Sequence, residues 1–321
     1  MHSIQFKKSL ALVLVVVAFT YATALQNDFV NFDDELILLE NKPVKDFDIY
    51  TIFTKPLAED FVPLTLLTFA IEYKFFGLKP FIYHLDNIIL HLLNCILVFF
   101  LIIELSGEDT RMSFISSLLF GIHPLHVESV NWVAERKDVL SCFFYLLSLL
   151  VYLRYSKTKK VSFYWGAFIF GAMAILAKSF ALTLPFVFLL IDYYQGVKIE
   201  LKIIIEKIPL FIVSFLSILI AWPLLHVMSN TESAISIQNI IYVVPAFCFY
   251  ISRSVLPVGL SVLYETGATR IGFLAYVITG LVIWGINEFV KTHQSRKNLI
   301  IFGLGFFLIS GLPACQFIRI K

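Results

Sequence analysis

The sequence predicts an all-α polytopic membrane protein, a single transmembrane domain over residues 1–321 built as a bundle of about nine membrane-spanning helices. Three observations predict it. Mean hydropathy is +0.85, with 59% hydrophobic residues and 33 Phe, far from the composition of a soluble globular domain. Charged residues make up 15%, against roughly 25% in soluble proteins, so the chain cannot coat a core with polar surface. Long apolar runs recur, and two of the segments between them are rich in Lys and Arg.

The first run, Ser9–Gln26, is about 27 Å long as a helix, enough to cross the hydrocarbon. Lys7 and Lys8 precede it and hold the N-terminus in the cytoplasm. A signal peptide cut after Ala22-Thr23-Ala24 is the alternative. In both cases Asn27 emerges on the outer side. Further spans follow at 81–105, 112–125, 139–155, 161–177, 180–195, 208–227, 271–290 and 298–313. Alternation places the basic segments 154–160 and 196–207 inside, as the positive-inside rule requires. If 240–260 also crossed, Lys291, Arg296 and Lys297 would land outside. That segment therefore reads as re-entrant or interfacial, a helix pair broken at Pro245 and Pro257.

Composition also excludes functions. A net charge of +2 and the lack of a basic stripe argue against nucleic acid as a partner. There is no Walker-type loop, GxGxxG or CxxC to hold a nucleotide or a redox pair. Cys95, Cys142, Cys248 and Cys315 sit in apolar runs and read as small core residues.

The outer face then collects the chemistry. A first outer loop, 27–80, opens with Asp28, Asp33, Asp34 and Glu35 and continues into 62–77, whose helical spacing suits an amphipathic helix in the headgroup region. The loop 123–138 adds His123, His126, Glu128, Glu135, Arg136, Lys137 and Asp138. Lys178 and Arg253 come from other segments. Each has a plainer reading. The acidic group is a solvated patch or a helix N-cap with an acidic first turn. His123 and His126 have metal-ligand chemistry, but Pro124 interrupts them and no fourth ligand is evident, so no metal site is expected. Glu135–Asp138 is a capping ion-pair run, and Lys178 a snorkelling residue. Asn87, His91 and Asn94 form one helical stripe that suits interhelical hydrogen bonds. Asp192 reads as structural.

Several blocks resemble one family. "FGIHPLHVESVNWVAERKDVLSCFFYLLSLLVYLRY" (120–155), "DFVNFDDEL" (28–36), 63–94, 177–194 and, more loosely, 253–265 are similar to the membrane domain of the transmembrane and tetratricopeptide-repeat O-mannosyltransferases and their bacterial relatives, members of the GT-C class. The resemblance implies a GT-C-like bundle and transfer of a sugar, mannose-like, from a polyprenyl-phosphate carrier to an acceptor hydroxyl on the non-cytoplasmic side. It implies that Asp33 and Asp34 supply the catalytic carboxylate, with Asp33 as general base and Asp34 orienting. Arg136, Lys137, Lys178 and Arg253 would meet the donor phosphate, where charge develops in the transition state. Glu35, His123, His126, Glu128, Glu135 and Asp138 would support the outer loop. No cofactor is implied, since the lipid-linked donor is already activated, and the partners are that donor, membrane lipid and an unidentified acceptor protein or glycan.

Two departures bear on activity. Val62 stands where the family pattern carries Arg before Pro-Leu-Thr. Relatives also continue past a segment like 311–321 into an Asp-Arg-Tyr motif and tetratricopeptide repeats. The alternative is a truncated, non-catalytic remnant or scaffold of the same fold. A lipid or solute transporter fits less well, because charges lie at span ends and no internal repeat is visible. The outer loops hold no Asn-x-Ser/Thr, and the expected location is a bacterial inner membrane with the site facing the periplasm or outside.

Overall fold

Each of the nine apolar runs folds as helix in the computed structural model, which describes residues 2–56, 61–228, 237–261 and 273–315. The order is α1 (His2–Tyr21), α2 (Lys42–Lys45), α3 (Ile49–Thr54), α4 (Pro63–Phe76), α5 (Pro80–Ser106), α6 (Thr110–Ile122), α7 (Val127–Asn131) and α8 (Arg136–Thr158). Then come α9 (Val161–Ala177), α10 (Leu184–Tyr194), α11 (Leu201–Ile205), α12 (Ile208–Met228), α13 (Ile237–Val255), α14 (Phe273–Thr292) and α15 (Lys297–Gly311). No strand occurs among the described residues. The ends of the blocks 253–265 and 311–321 lie outside them.

Among the described residues four helical stretches are long and apolar enough to cross a membrane: Ile4–Gln26, α5, α8 and α14. Shorter apolar stretches lie in α6, α9, α10, α12, α13 and α15. Local chemistry sets the boundaries. Pro63 and Pro80 sit in the first turn of α4 and α5, where a missing N–H costs nothing. Gly107, at φ +73°, ends α5 in the left-handed conformation. The Asp109 carboxylate caps α6 by accepting from the Arg111 and Met112 N–H groups at 3.1 and 3.0 Å.

Packing divides into three cores. The main one joins α5, α8, α9, α10, α12 and α15 around Leu149, Tyr152, Ala174 and Phe188. A second joins α1 and α5 to residues of α7 and α8, with partly buried α6 side chains packed against it. Here Gly121 lets α6 approach Val17 and Cys95 so closely that an added Cβ would overlap Val17. The third gathers the outer loop itself: Leu38, Val44, Ile52, Val62, Leu66 and Phe69 close on Tyr83, Val133 and Ala134. Burying such side chains is worth about 1.5–3 kcal/mol each, so the loop is a packed cap and not a linker.

Two expectations change. Residues 237–255 form one helix that runs through Pro245, not a pair broken there. A proline inside a helix removes one hydrogen bond without always ending it. The 63–76 helix does not divide into one polar and one apolar face: it buries Glu72 and exposes Phe75. One side, with Leu66, Phe69 and Ala70, enters the cap core, while Ile71, Phe75 and Phe76 remain exposed.

The polar stripe on α5 hydrogen-bonds between helices as its spacing suggests. Asn87 donates to the Trp132 carbonyl at 3.1 Å, Asn94 to the Val139 carbonyl at 2.9 Å, and His91 Nε2 lies 2.9 Å from the Gly121 carbonyl. Asp192 is structural as well. It accepts from Tyr152 Oη at 2.7 Å and pairs with the wholly buried Lys207 at 2.8 Å.

Candidate active site between the acidic loop and the Lys178 cluster

Asp34 precedes a short π-helical turn, Glu35–Leu39, yet it does not cap that turn. Its carboxylate is turned into the protein, 1% exposed, and takes two backbone donors. Ala134 N–H donates to Oδ1 at 2.8 Å and Val30 N–H to Oδ2 at 2.9 Å. Burial raises its pKa, outweighing the Val30 and Ala134 donors, the neighbouring His84 and the Trp132 indole. Asp33 is half-buried, and among the described residues its carboxylate makes no hydrogen bond or ion pair. Glu35 is exposed.

Arg136 opens α8 and has no solvent exposure at all. Its guanidinium donates to Asn87 Oδ1 and the Tyr83 carbonyl, each at 2.9 Å, and it pairs with Glu72 of α4. Asp86 lies 3.4 Å away, and the ring of Phe69 is 4.5 Å from the guanidinium carbon. Each buried N–H that finds an acceptor offsets part of a desolvation cost of several kcal/mol. Arg136 is thereby committed to joining α4, α5 and α8. The expectation that it meets a phosphate gives way, because none of its surface reaches solvent. Glu72 was not foreseen, although a lone carboxylate within "PLTLLTFAIEYKFF" needs a buried cation to be tolerated. Burial pushes its carboxyl up to about 7 against the lowering effect of Arg136.

The other charges of the loop form a chain of ion pairs. Lys137 pairs with Glu135 at 3.2 Å, Glu135 with Lys178 at 3.6 Å, and Lys178 closely with Asp138. Ser129 donates to Asp138 at 2.8 Å. Lys178 reaches this place because α9 stops at Ala177 and residue 178 is extended before the 3-10 turn Ser179–Thr183. Burial raises the carboxyls of Glu135 and Glu128. Lys178, Asp138, His126 and Ser129 line one end of a cavity of about 320 Å³ whose other walls are largely apolar, including Phe120, Val139, Cys142 and Phe306.

His126 is pressed against Phe120, its ring centroid 4.6 Å away, and burial drives its pKa down to about 4. His123 has both ring nitrogens engaged. Nδ1 accepts from Leu125 N–H at 3.2 Å, which leaves Nε2 to donate to the Ser254 carbonyl at 3.1 Å. Among the described residues no three His, Cys, Asp or Glu side chains converge on one point. Arg253 is brought to the same face through that Ser254 contact, with its guanidinium stacked over Phe249 at 5.2 Å.

The segment 127–133 separates two cavities. Ser129 and Val130 line the Lys178 cavity, while Asn131, Trp132 and Val133 line a second one of about 340 Å³ beside Asp34. Asn87 pins this wall, and Arg136 pins Asn87. The structure thus brings Lys137, Lys178, Glu135, Asp138 and His126 together on one side and Asp34 on the other.

An ion-paired cluster thus faces a largely apolar cavity, with the buried Asp34 across one wall. Protein O-mannosyl-transferase TMTC3 of mouse is 35% identical over 198 residues, covering 57% of this chain and 21% of its own length. Human TMTC1 is 29% identical over 197 residues, covering 54% and 22%, and frog tmtc2 is 41% identical over 100 residues, covering 31% and 12%. The chain is related to the TMTC O-mannosyl-transferases. It spans about a fifth of the length of these mouse and human relatives. No protein-family model and no solved structure matches it. Val62 is 1% exposed in the cap core.

Proposed function

We propose that this chain is a glycosyltransferase domain that moves a sugar, mannose-like, from a polyprenyl-phosphate carrier to an acceptor hydroxyl on the non-cytoplasmic side, with its nine apolar helices crossing the bilayer. The single observation that carries the reading is the Lys178 cavity, a largely apolar space with a charged end, in a relative of O-mannosyl-transferases. Such a space suits a lipid whose headgroup is an anion.

The step balances without a cofactor. The acceptor oxygen forms a bond to the anomeric carbon as the bond from that carbon to the phosphate oxygen breaks. The acceptor proton passes to Asp33, half-buried in the acidic loop beyond the 127–133 wall, so the reading requires donor and acceptor to meet at the edge of that wall. The leaving phosphate gains one negative charge, and the reading assigns Lys178, on the cavity wall, and Lys137, linked to it through Glu135, to meet that charge. Proton uptake by Glu135, whose carboxyl burial already raises, leaves that cluster net positive. Asp34 holds the loop in place, and Arg253 can approach the headgroup from the α13 end.

The test is transfer in proteoliposomes from radiolabelled polyprenyl-phosphate mannose to a Ser/Thr-rich acceptor. Wild type transfers, and Asp33→Asn, with unchanged thermal unfolding, loses at least a hundredfold. Failure of well-folded wild type with several carrier sugars sinks the enzymatic reading and leaves the non-catalytic scaffold.

A further inference from the structure

The end of the bundle away from the Lys178 cavity carries a charged surface of its own. α9 starts there at Val161 and reaches Ala177, next to Lys178, about 24 Å further on at 1.5 Å per residue. The two basic segments of the sequence, 154–160 and 196–207, are remote in the chain and meet on this end. The join falls on Glu206. Tyr155 Oη donates to its carboxylate at 3.4 Å, and Tyr164 Oη to its backbone carbonyl at 2.8 Å. Six cations are exposed around the join: Arg154, Lys157, Lys159, Lys160, Lys198 and Lys202. Arg154 and Lys157 share one carboxylate, Glu104, at 3.3 and 2.6 Å. With the buried Lys207 and its partners included, seven cations stand against Glu104, Asp192, Glu200 and Glu206. The surface is net positive and draws anions.

Charge alone would suit any anion, and the apolar side chains set among the lysines narrow the choice. None of the residues of α11 is buried, although four of the five are Leu or Ile. Leu201 is 72% exposed, and Ile204 and Ile205 are exposed with it. Trp165, one turn into α9, is exposed as well, its ring centroid 5.1 Å from that of Tyr164. A soluble anion would meet the lysines and leave this apolar surface in water. A phospholipid meets both parts, with its acyl chains against the apolar side chains and its phosphate among the cations. Tryptophan favours the same depth of a bilayer. We propose that segment 154–160 and α11 with its flanking lysines form a binding surface for anionic phospholipid headgroups, which it takes in preference to zwitterionic ones. The proposal rests on α9, α10 and α12 crossing the bilayer and not on sugar transfer.

The test uses the full chain in nanodiscs and Trp165 as the reporter. Brominated phosphatidylglycerol or brominated phosphatidylcholine is added in graded amounts, and subtracting the signal of Trp165→Phe from that of wild type isolates the quenching at this surface. Phosphatidylglycerol should half-quench Trp165 at a mole fraction at least threefold lower than phosphatidylcholine does. Raising salt from about 0.1 to 1 M, which shortens the screening length from about 10 to 3 Å, should shrink that preference. Replacing Lys159, Lys160, Lys198 and Lys202 together with Gln should bring the ratio to about one, and replacing the same four with Arg should keep it. Each variant must reconstitute at the yield of wild type and unfold within a few degrees of it; the Lys198→Gln, Lys202→Gln pair replaces the Gln set if that set does not. Equal quenching of wild type by the two lipids overturns the proposal, as does a preference unchanged in the Gln variant. Loss of the preference on adding millimolar inorganic phosphate would assign the cations to a soluble anion. Binding of an acidic peptide to wild type in purely zwitterionic nanodiscs, undiminished when phosphatidylglycerol is included, would assign the face to a protein partner. Both results overturn the lipid assignment, and none of these outcomes depends on whether the chain transfers a sugar.

Discussion

Asp34 and Ala134 are one hundred residues apart in the chain and joined by a 2.8 Å hydrogen bond from the Ala134 N–H to Oδ1. That bond fastens the acidic loop to the end of the wall that separates the two cavities, while the Val30 N–H closes the loop on itself. Asp34→Ala strands two buried donors and is expected to destabilise by about 2–4 kcal/mol. Asp34→Asn keeps one acceptor and should cost less. Denaturation in detergent, read by intrinsic fluorescence, checks the order; equal loss in both variants contradicts the anchoring role.

Arg136→Met leaves the Glu72 carboxylate buried without its cation and should destabilise by about 3–5 kcal/mol. The double variant Arg136→Met with Glu72→Leu removes both charges and should recover most of that. A double-mutant cycle on unfolding free energy measures the coupling, and strict additivity would contradict the hub.

For Lys178, loss of transfer and loss of fold separate through Asp138. Lys178→Gln should lower kcat/KM by about a hundredfold or more, as removal of a preorganised donor does. It also leaves Asp138 poorly compensated. Adding Asp138→Asn should restore the unfolding temperature without restoring transfer. If transfer returns with stability, Lys178 is structural.

His126 gives a pH signature with a definite sign. Its pKa falls from 6.5 to about 4 on folding, so the unfolded chain takes up the proton first. Its contribution is full above pH 6.5 and is lost progressively as pH falls towards 4, by up to about 3 kcal/mol. Subtracting the stability profile of His126→Gln from that of wild type should leave that acid limb. A flat difference would show that His126 is not buried as a neutral ring.

The helices were legible in the sequence because a span is a local property. Length, apolarity and flanking charge suffice, and 161–177 is the helix Val161–Ala177 to the residue. The α5 stripe was legible because Asn87, His91 and Asn94 share a face by spacing alone. Arg136 was not. In "ERKD" it looks like any capping cation, and only the approach of Glu72 from α4 and Tyr83 from α5 removes it from solvent. Asp34 was found as a residue but not as an anchor, since its partner is a backbone N–H, which carries no side-chain signature. The 240–260 segment was misjudged at Pro245 because the cost of a proline depends on what packs around the helix it interrupts.

The Asp192–Lys207 pair, away from both cavities, constrains how this chain can diverge. Two charges with almost no exposure hold α10 to the start of α12, and Tyr152 closes the set from α8. Losing either one abandons the other in a medium of low dielectric, whereas exchanging both for apolar side chains can be close to neutral. The route between those two tolerated states passes through a single-substitution intermediate that folds poorly. Lineages carrying the charged pair are therefore held in it by a barrier, whether or not the pair serves any step of the chemistry.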